Sequence, residues 1–441
     1  MSIQSIEYLE SYAWLGSKLG LDRIKELLNR MDNPQKGLRF IHLAGTNGKG
    51  STAAFLAAMF QEAGYRTGLY TSPYIHTFYE RMQINGLAIS SDELDQIVGD
   101  MRIHADAMED HPTTFELDTA VAFSFFAQRQ CDIVILETGM GGGLDATNAI
   151  ENPELCVITP IDMDHMEYLG DTISKIATAK AGILKPGRPV VSATQKPQAL
   201  TVLQEVAGKL GASFTQVDTG AITVLGHNLY GQDFSLGEKQ YHINLLGNYQ
   251  VENAALALLT AEKINEQGRF HLSETAITEG LKKARWPGRF ELCATNPPAI
   301  VDGGHNAQGA VALSQSLKRY FPDTPITFVM GVMADKDVAA ILNPVLPLAT
   351  KFYTVTPSTP RAMGAEKLAT LIEEMGGQAE AVEAGMEAAF SLAKADALAQ
   401  GGIVCYFGSL YSVGNARDAI GLGQGKYYLA EKDEVVTGQG A

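Results

Sequence analysis

The stretch FIHLAGTNGKGST (40–52), running into AAFLAAMFQEAG (53–64), decides the fold. FIHLAG is apolar throughout, as suits a strand covered on both faces, and the alanine-rich run after Thr52 is a helix former stopped by Gly64. Gly45, Gly48 and Gly50 lie between strand and helix. Glycines this close together let backbone N–H groups turn inward around phosphate oxygens. The helix start adds partial positive charge, Lys49 meets the outer phosphates, and Ser51 can reach Mg2+. Thr46, Asn47, Gly48, Lys49, Gly50 and Ser51 are therefore the candidate phosphate cradle. The strict G-x-x-x-x-G-K-[ST] spacing is not met, because two residues separate Gly45 from Gly48 and Gly50 stands between Lys49 and Ser51. A glycine-rich turn with a solvated lysine is the plainer alternative.

Working outward, TGLYTS (67–72), DIVILE (132–137) and CVITPI (156–161) repeat the buried-strand pattern and alternate with helical stretches. This predicts a parallel sheet covered by helices. A second series begins at AIVDGG (299–304) and continues with ITFVMGV (326–332), KFYTVTP (351–357) and GGIVCYFGSL (401–410). The consecutive Pro297-Pro298 block helix and central strand, which places a boundary between residues 1–293 and 297–425. The fold class is thus α/β in two domains. Residues 211–245 read as an antiparallel excursion. The glycine-rich sequence after Gly421 shows neither helical nor strand periodicity, and 426–441 is expected to be a mobile tail.

Four strands bring polar residues to one rim, where ligands of open α/β sheets bind. Lys49 follows the first and Ser72-Pro73-Tyr74 the second. Glu137 ends the third beside Gly139 to Gly143, and Asp162-Met163-Asp164-His165 follows the fourth. A carboxylate at a buried strand tip costs desolvation energy unless it has a cation, and Mg2+ on nucleotide phosphates is the natural candidate for Glu137, with helix capping or loop anchoring as the plainer alternative. Asn253, Arg289, Asp302 and His305 are grouped at a hinge and a strand tip, as an interdomain nucleotide site requires. Each also has a local reading, such as helix cap, surface ion pair or turn former. Lys180 reads as a surface lysine near a helix end, no different in kind from Lys185.

The chain has 441 residues and a formal net charge of −16, with 46% hydrophobic and 19% charged residues. That composition predicts packed cores and argues against nucleic acid or an anionic membrane as partner. The four cysteines, at 131, 156, 293 and 405, form no C-x-x-C pair. They read as reduced thiols, most of them buried in strands. The N-terminus lacks signal-peptide character and no apolar run reaches the ~18 residues of a membrane span, so a cytoplasmic protein is expected, with monomer as the default state.

Taken together, the motifs resemble the Mur ligase superfamily, and within it the folylpolyglutamate synthase/dihydrofolate synthase family. The resemblance runs in order through LGLDRIKELL (19–28), AGTNGKGST (44–52), TSPY (71–74), YERMQING (79–86) and ETGMGGGLDATN (137–148). It continues through DMDH (162–165), KAGILKPG (180–187), PGRFE (287–291), VDGGHN (301–306), DKD (335–337) and GSLYSVG (408–414). It implies a P-loop Mur-ligase-like ATPase domain followed by a smaller Rossmann-like C-terminal domain. The implied activity is an ATP-dependent carboxylate–amine ligase, in which ATP phosphorylates the carboxylate of a folate or dihydropteroate and L-glutamate attacks the acyl phosphate. By the same resemblance Ser72, Glu137 and His165 hold Mg2+, and Asn253, Arg289, Asp302 and His305 contact ATP. Lys180 becomes N-carboxylated, and a monovalent cation is a further candidate. Many members carry histidine where this chain has Tyr74 and Tyr249, and arginine where it has Gly143. Tyr74 is suited to stack on a pterin ring. Two rivals remain at this point: a Mur-type peptidoglycan amino-acid ligase and a P-loop nucleotide-binding protein that does not ligate.

Overall fold

The computed structural model describes residues 2–429 and 434–437. Strands β1 (Phe40–Ala44), β2 (Thr67–Tyr70), β3 (Met82–Ile84), β4 (Leu87–Ala88), β5 (Ile133–Glu137), β6 (Leu155–Ile158), β7 (Val190–Ser192) and β8 (Phe214–Gln216) form one sheet in the order β4-β3-β2-β5-β1-β6-β7-β8. From β2 to β8 the pairing is parallel, and β3 and β4 add an antiparallel edge. Every residue of β1, β5 and β6 is buried, as the uniformly apolar runs predict. Side-chain alternation divides β1 between two cores. Ile41 and Leu43 face the helices Lys49–Glu62 and Tyr249–Glu266, while Phe40 faces the helices Asp22–Arg30, Ser91–Ala105 and Thr114–Gln128. Phe55 and Phe60 of the first helix are fully buried, each contributing roughly 1.5–3 kcal/mol of apolar transfer.

Register then fixes the rim. Leu43 pairs with Glu137 and Ala44 with Ile158, so the loop after β1 emerges between the ends of β5 and β6. β9 (Ile222–Asn228), β10 (Gly231–Leu236) and β11 (Lys239–Ile243) make the expected antiparallel excursion as a separate sheet. It is narrower than 211–245, because β8 pairs parallel with β7 in the main sheet.

The second domain is built on β12 (Glu291–Thr295), β13 (Pro298–Val301), β14 (Ile326–Met330), β15 (Ala349–Thr354), β16 (Ala379–Ala381) and β17 (Ile403–Phe407), ordered β12-β13-β17-β14-β15-β16. All neighbours are parallel except β12, which forms a hairpin with β13. The expected division at 293–297 runs through this hairpin. Asn296 and Pro297 form its turn and β12 is an edge strand, so the prolines shape a hairpin instead of separating domains. The sequence after Gly421 is also corrected: β18 (Lys426–Leu429) and β19 (Glu434–Thr437) pair antiparallel. Strands of four residues are too short for a two-residue period to stand out. Residues 430–433 and 438–441 of the expected mobile tail lie outside the described residues. All four cysteines are buried and free. Among the described residues no helix is long and apolar enough to cross a membrane.

Candidate active site

The loop after β1 is held from every side. Gly48 is the N-cap of the helix Lys49–Glu62, with φ of 87°, a left-handed conformation glycine adopts without strain. Its Cα faces Asn253, whose Oδ1 would lie 2.5 Å from any added Cβ. Gly50 packs on the Trp286 indole, and Ser51, 1% exposed, accepts a hydrogen bond from Gln250 Nε2 at 3.2 Å. Thr46 Oγ1 and the backbone of Asp162 exchange hydrogen bonds at 3.0 Å, tying the loop to the segment after β6. Asn47 Nδ2 donates across the cleft to Asn306 and Gln308. The first helical bond runs from Thr52 N to Gly48 O at 2.9 Å, so the N–H groups of the preceding turn face the loop.

Two ammonium groups converge on one carbonyl oxygen. Lys180 Nζ donates to Gly45 O at 2.7 Å and Lys49 Nζ to the same oxygen at 3.2 Å. Lys180 is only 4% exposed, which separates it from Lys185 and removes the surface-lysine reading. Burial, reinforced by the Lys49 charge, lowers its pKa to about 7, against the opposing pull of Asp164 and Asp145. Glu137 ends β5 at 3.8 Å from Lys49 Nζ. Burial pushes its carboxyl up to about 7, while Lys49, Arg289 and the Ser72 N–H favour the charged form. This buried carboxylate, undercompensated in its surroundings, suits a divalent cation. Among the described residues no three His, Cys, Asp or Glu side chains cluster at metal-binding spacing; Ser72 lies beside Glu137, while His165 is under the influence of Asp164, Lys336, Lys49 and Lys180. His165 is exposed on this rim in a left-handed conformation, its N–H bonded to Asp164 Oδ1 at 2.9 Å.

The second domain supplies the facing wall. Asp302 Oδ2 accepts from Tyr249 Oη at 3.1 Å and Phe290 N at 2.8 Å, and Oδ1 from Gly304 N at 2.7 Å. Asp302 thus organises the hinge, and Tyr249 is its partner. Arg289 lines the cleft, near enough to Glu137 and Asp302 to influence both carboxyls. His305 Nδ1 lies 3.0 Å from Gly303 O, and burial lowers its pKa to about 4. Asp164, to which the sequence motifs alone give no role, joins the domains. It takes Lys336 Nζ at 3.2 Å on Oδ1 and Asn306 Nδ2 at 3.1 Å on Oδ2. Burial alone would raise its pKa, but His165, Lys336, His305 and Asn306 outweigh that and hold it well below the carboxylate range. The signal was present in DMDH and DKD, but only the fold joins the two motifs.

Between the domains lies a cleft of about 950 Å3 that reaches from Glu137, Ser72 and Arg289 past Trp286 to Tyr74. Arg81 covers the Tyr74 ring, 5.4 Å from its centroid. The Mur ligase middle domain matches residues 43–261 and the Mur ligase, glutamate ligase domain matches residues 288–410. A Bacillus subtilis protein named dihydrofolate synthase/folylpolyglutamate synthase is 41% identical over 378 residues, covering 82% of this chain and 88% of that relative. The chain belongs to the folylpolyglutamate synthase/dihydrofolate synthase family of Mur ligases. It is an ATP-dependent carboxylate–amine ligase, as the motifs imply, and the non-ligating alternative falls away. Mycobacterium tuberculosis folylpolyglutamate synthase, solved with ADP and AMPPCP, matches this ligase with a TM-score of 0.87 and 31% identity over 96% of this chain and 99% of its own. Escherichia coli FolC, solved with DHPP and ADP, matches with a TM-score of 0.83 and 29% identity over 95% of this chain and 97% of its own.

Gly48→Ala tests the cradle. The added methyl meets Asn253 in a conformation that disfavours alanine by about 1 kcal/mol, and the loop must shift to relieve the contact. Calorimetric titration with ADP is expected to show binding weakened at least about tenfold. Unchanged affinity would remove the loop from nucleotide binding.

Proposed function

We propose that this ligase extends folates with L-glutamate, phosphorylating the folate carboxylate with ATP and transferring the acyl group to the glutamate amine. The observation that carries this reading is the cleft itself, which places the Lys49–Glu137–Arg289 group at one end and the aromatic Tyr74 wall beside it. An acyl phosphate forms only if negative charge on the transferring phosphoryl group is neutralised. Thr46, Asn47, Gly48, Gly50 and Ser51 shape the cradle, and Lys49 and Arg289 bring positive charge to it. Asn253 packs beneath Gly48, while Asp302 and His305 position the facing wall. Ser72, Glu137 and His165, with phosphate oxygens, would hold Mg2+, which supplies Lewis-acid neutralisation when bound. The bonds from Asp164 to Lys336 and Asn306 bring the second domain over the cleft, and closure keeps water from the acyl phosphate. Tyr74 offers a ring face to the pterin.

Dihydropteroate as a second acceptor is compatible with the same chemistry. Gly143 occupies the position where many members carry arginine, and it packs closely on Gly182, with its N–H bonded to Ala179 O at 2.9 Å. The contribution a basic side chain makes there must come from elsewhere. For the peptidoglycan alternative, the substrate requirement decides. ADP release is expected to require both a reduced folate and L-glutamate, and Lys49→Ala to slow it by at least about 100-fold. ADP release sustained instead by a muramyl nucleotide would move the protein to the peptidoglycan branch.

Lys180 is the proposed carbamate. An amine with a pKa near 7 is substantially neutral at physiological pH, and only the neutral amine attacks CO2, forming the N–C bond and releasing one proton. The product places an anion beside Lys49 where the unmodified amine is neutral or cationic. The enzyme incubated with 13C-bicarbonate is expected to show a carbamate carbon by NMR. Stripping CO2 should lower the rate, and bicarbonate should restore it. A rate indifferent to CO2, with no carbamate signal, would contradict the assignment.

A further inference from the structure

One wall of the cleft is an interdomain joint centred on a buried cation outside the phosphate machinery. Arg417, on the helix Val413–Ile420 of the second domain, is 1% exposed. Its guanidinium makes a forked contact with Glu291, Nε to Oε2 at 3.0 Å and Nη2 to Oε1 at 3.1 Å. Nη2 also donates to Lys426 O at 2.6 Å, and Nη1 lies 3.4 Å from His76 Nδ1. Each partner belongs to a different part of the molecule. Glu291 Oε2 accepts from Gly288 N at 2.8 Å, so it fixes the backbone next to Arg289. Lys426 opens the strand after the last helix. His76 belongs to the first domain, in the segment that follows Ser72 and Tyr74.

That segment is preorganised on its own side. Glu80 accepts hydrogen bonds from the N–H groups of Ile75, His76 and Thr77, at 2.9 to 3.3 Å, gathering the chain into a tight turn. What the turn lacks within its own domain is an outer support, and the second domain provides it. His76 Nε2 sits 3.4 Å from Asp418 Oδ1, and Gln424 Nε2 donates to Thr77 Oγ1 at 3.0 Å. Tyr74, Ile75, His76, Leu410, Arg417 and Gln424 together form this side of the cleft. A buried guanidinium is stable only while its acceptors stay in place, because a displaced partner leaves the charge uncompensated in a low-dielectric setting. Arg417 therefore favours the one arrangement in which hinge, tail and Tyr74 segment are all docked.

We propose that Arg417 is a positioning residue that couples domain docking to assembly of the folate-side wall, acting through His76 on the Tyr74 segment and through Glu291 on the hinge. The proposal rests on the folate reading of this cleft. It predicts that the His76 arm acts on the acceptor substrate and not on ATP, since the cradle around Lys49 makes no contact with His76, whereas the Glu291 arm also reaches the backbone beside Arg289.

Steady-state kinetics on the full chain, with reduced folate, L-glutamate and ATP varied in turn, test it. Arg417→Gln is expected to raise the folate KM about tenfold and the ATP KM by a smaller factor, through Glu291 and the backbone beside Arg289. His76→Ala keeps the Arg417–Glu291 pair and removes only the link to the loop. It is expected to raise the folate KM by a similar factor with the ATP KM within about twofold and a smaller loss of thermal stability than Arg417→Gln, a split that a purely structural role of Arg417 would not produce. The double variant should be no worse than Arg417→Gln alone, because both changes break one linkage. If Arg417→Gln does not fold, His76→Ala decides. Folate and ATP KM rising equally in His76→Ala, or a folate KM unmoved by His76→Ala or by Arg417→Gln, would overturn the proposal. A parent enzyme with no folate-dependent ADP release would instead overturn the reading of the cleft, and the proposal with it.

Discussion

Two lysine ammonium groups share the carbonyl oxygen of Gly45, and the rest of the site is arranged around that contact. Like charges brought together in a buried setting repel strongly, and one carbonyl dipole offsets little of this. Glu137, Asp164 and Asp145 temper the repulsion without removing it, as the lowered pKa of Lys180 records. Such a basin favours an incoming anion. On the proposed function, triphosphate oxygens would meet it from the cleft and a carbamate on Lys180 would answer it from within. A chain of net charge −16 can in this way offer anionic substrates positive charge gathered at one loop.

The loop's position follows from the sheet. Because β1 lies between β5 and β6, the loop between β1 and its helix has a carboxylate at one side and the Asp162–His165 segment at the other. Neither sheet alone encloses the cleft. Asp164 with Lys336 and Asn306, Asn47 with Gln308, and Arg417 with His76 join the domains at separate points. Charge-assisted pairs of this kind are directional, so they specify one docked geometry while the apolar cores supply most of the stability.

The sequence is informative where structure is local. Uniformly apolar runs mark β1, β5 and β6, the glycine spacing marks the loop, and strand order brings Lys49, Ser72, Glu137 and His165 to one rim. It is silent where contacts are long-range. Nothing in the local pattern distinguishes Lys180 from Lys185, since their difference is burial against a loop 135 residues away. Asp164 and Lys336 are 172 residues apart, and Arg417 and His76 are 341 apart. Pro297-Pro298 misleads for a different reason, because prolines that exclude a helix suit a hairpin turn equally well. The family resemblance compensates for part of this, identifying Lys180 and Arg289 before any geometry, yet it does not reveal the joint around Arg417.

On the proposed function the cleft activates a carboxylate by transferring phosphate to it. Turnover with a folate whose reacting carboxylate carries 18O measures this directly. An acyl phosphate leaves one carboxylate oxygen in the departing phosphate when the glutamate amine displaces it. The account predicts one 18O atom in the inorganic phosphate for each amide formed from fully labelled substrate. Unlabelled phosphate accompanying amide formation would contradict it.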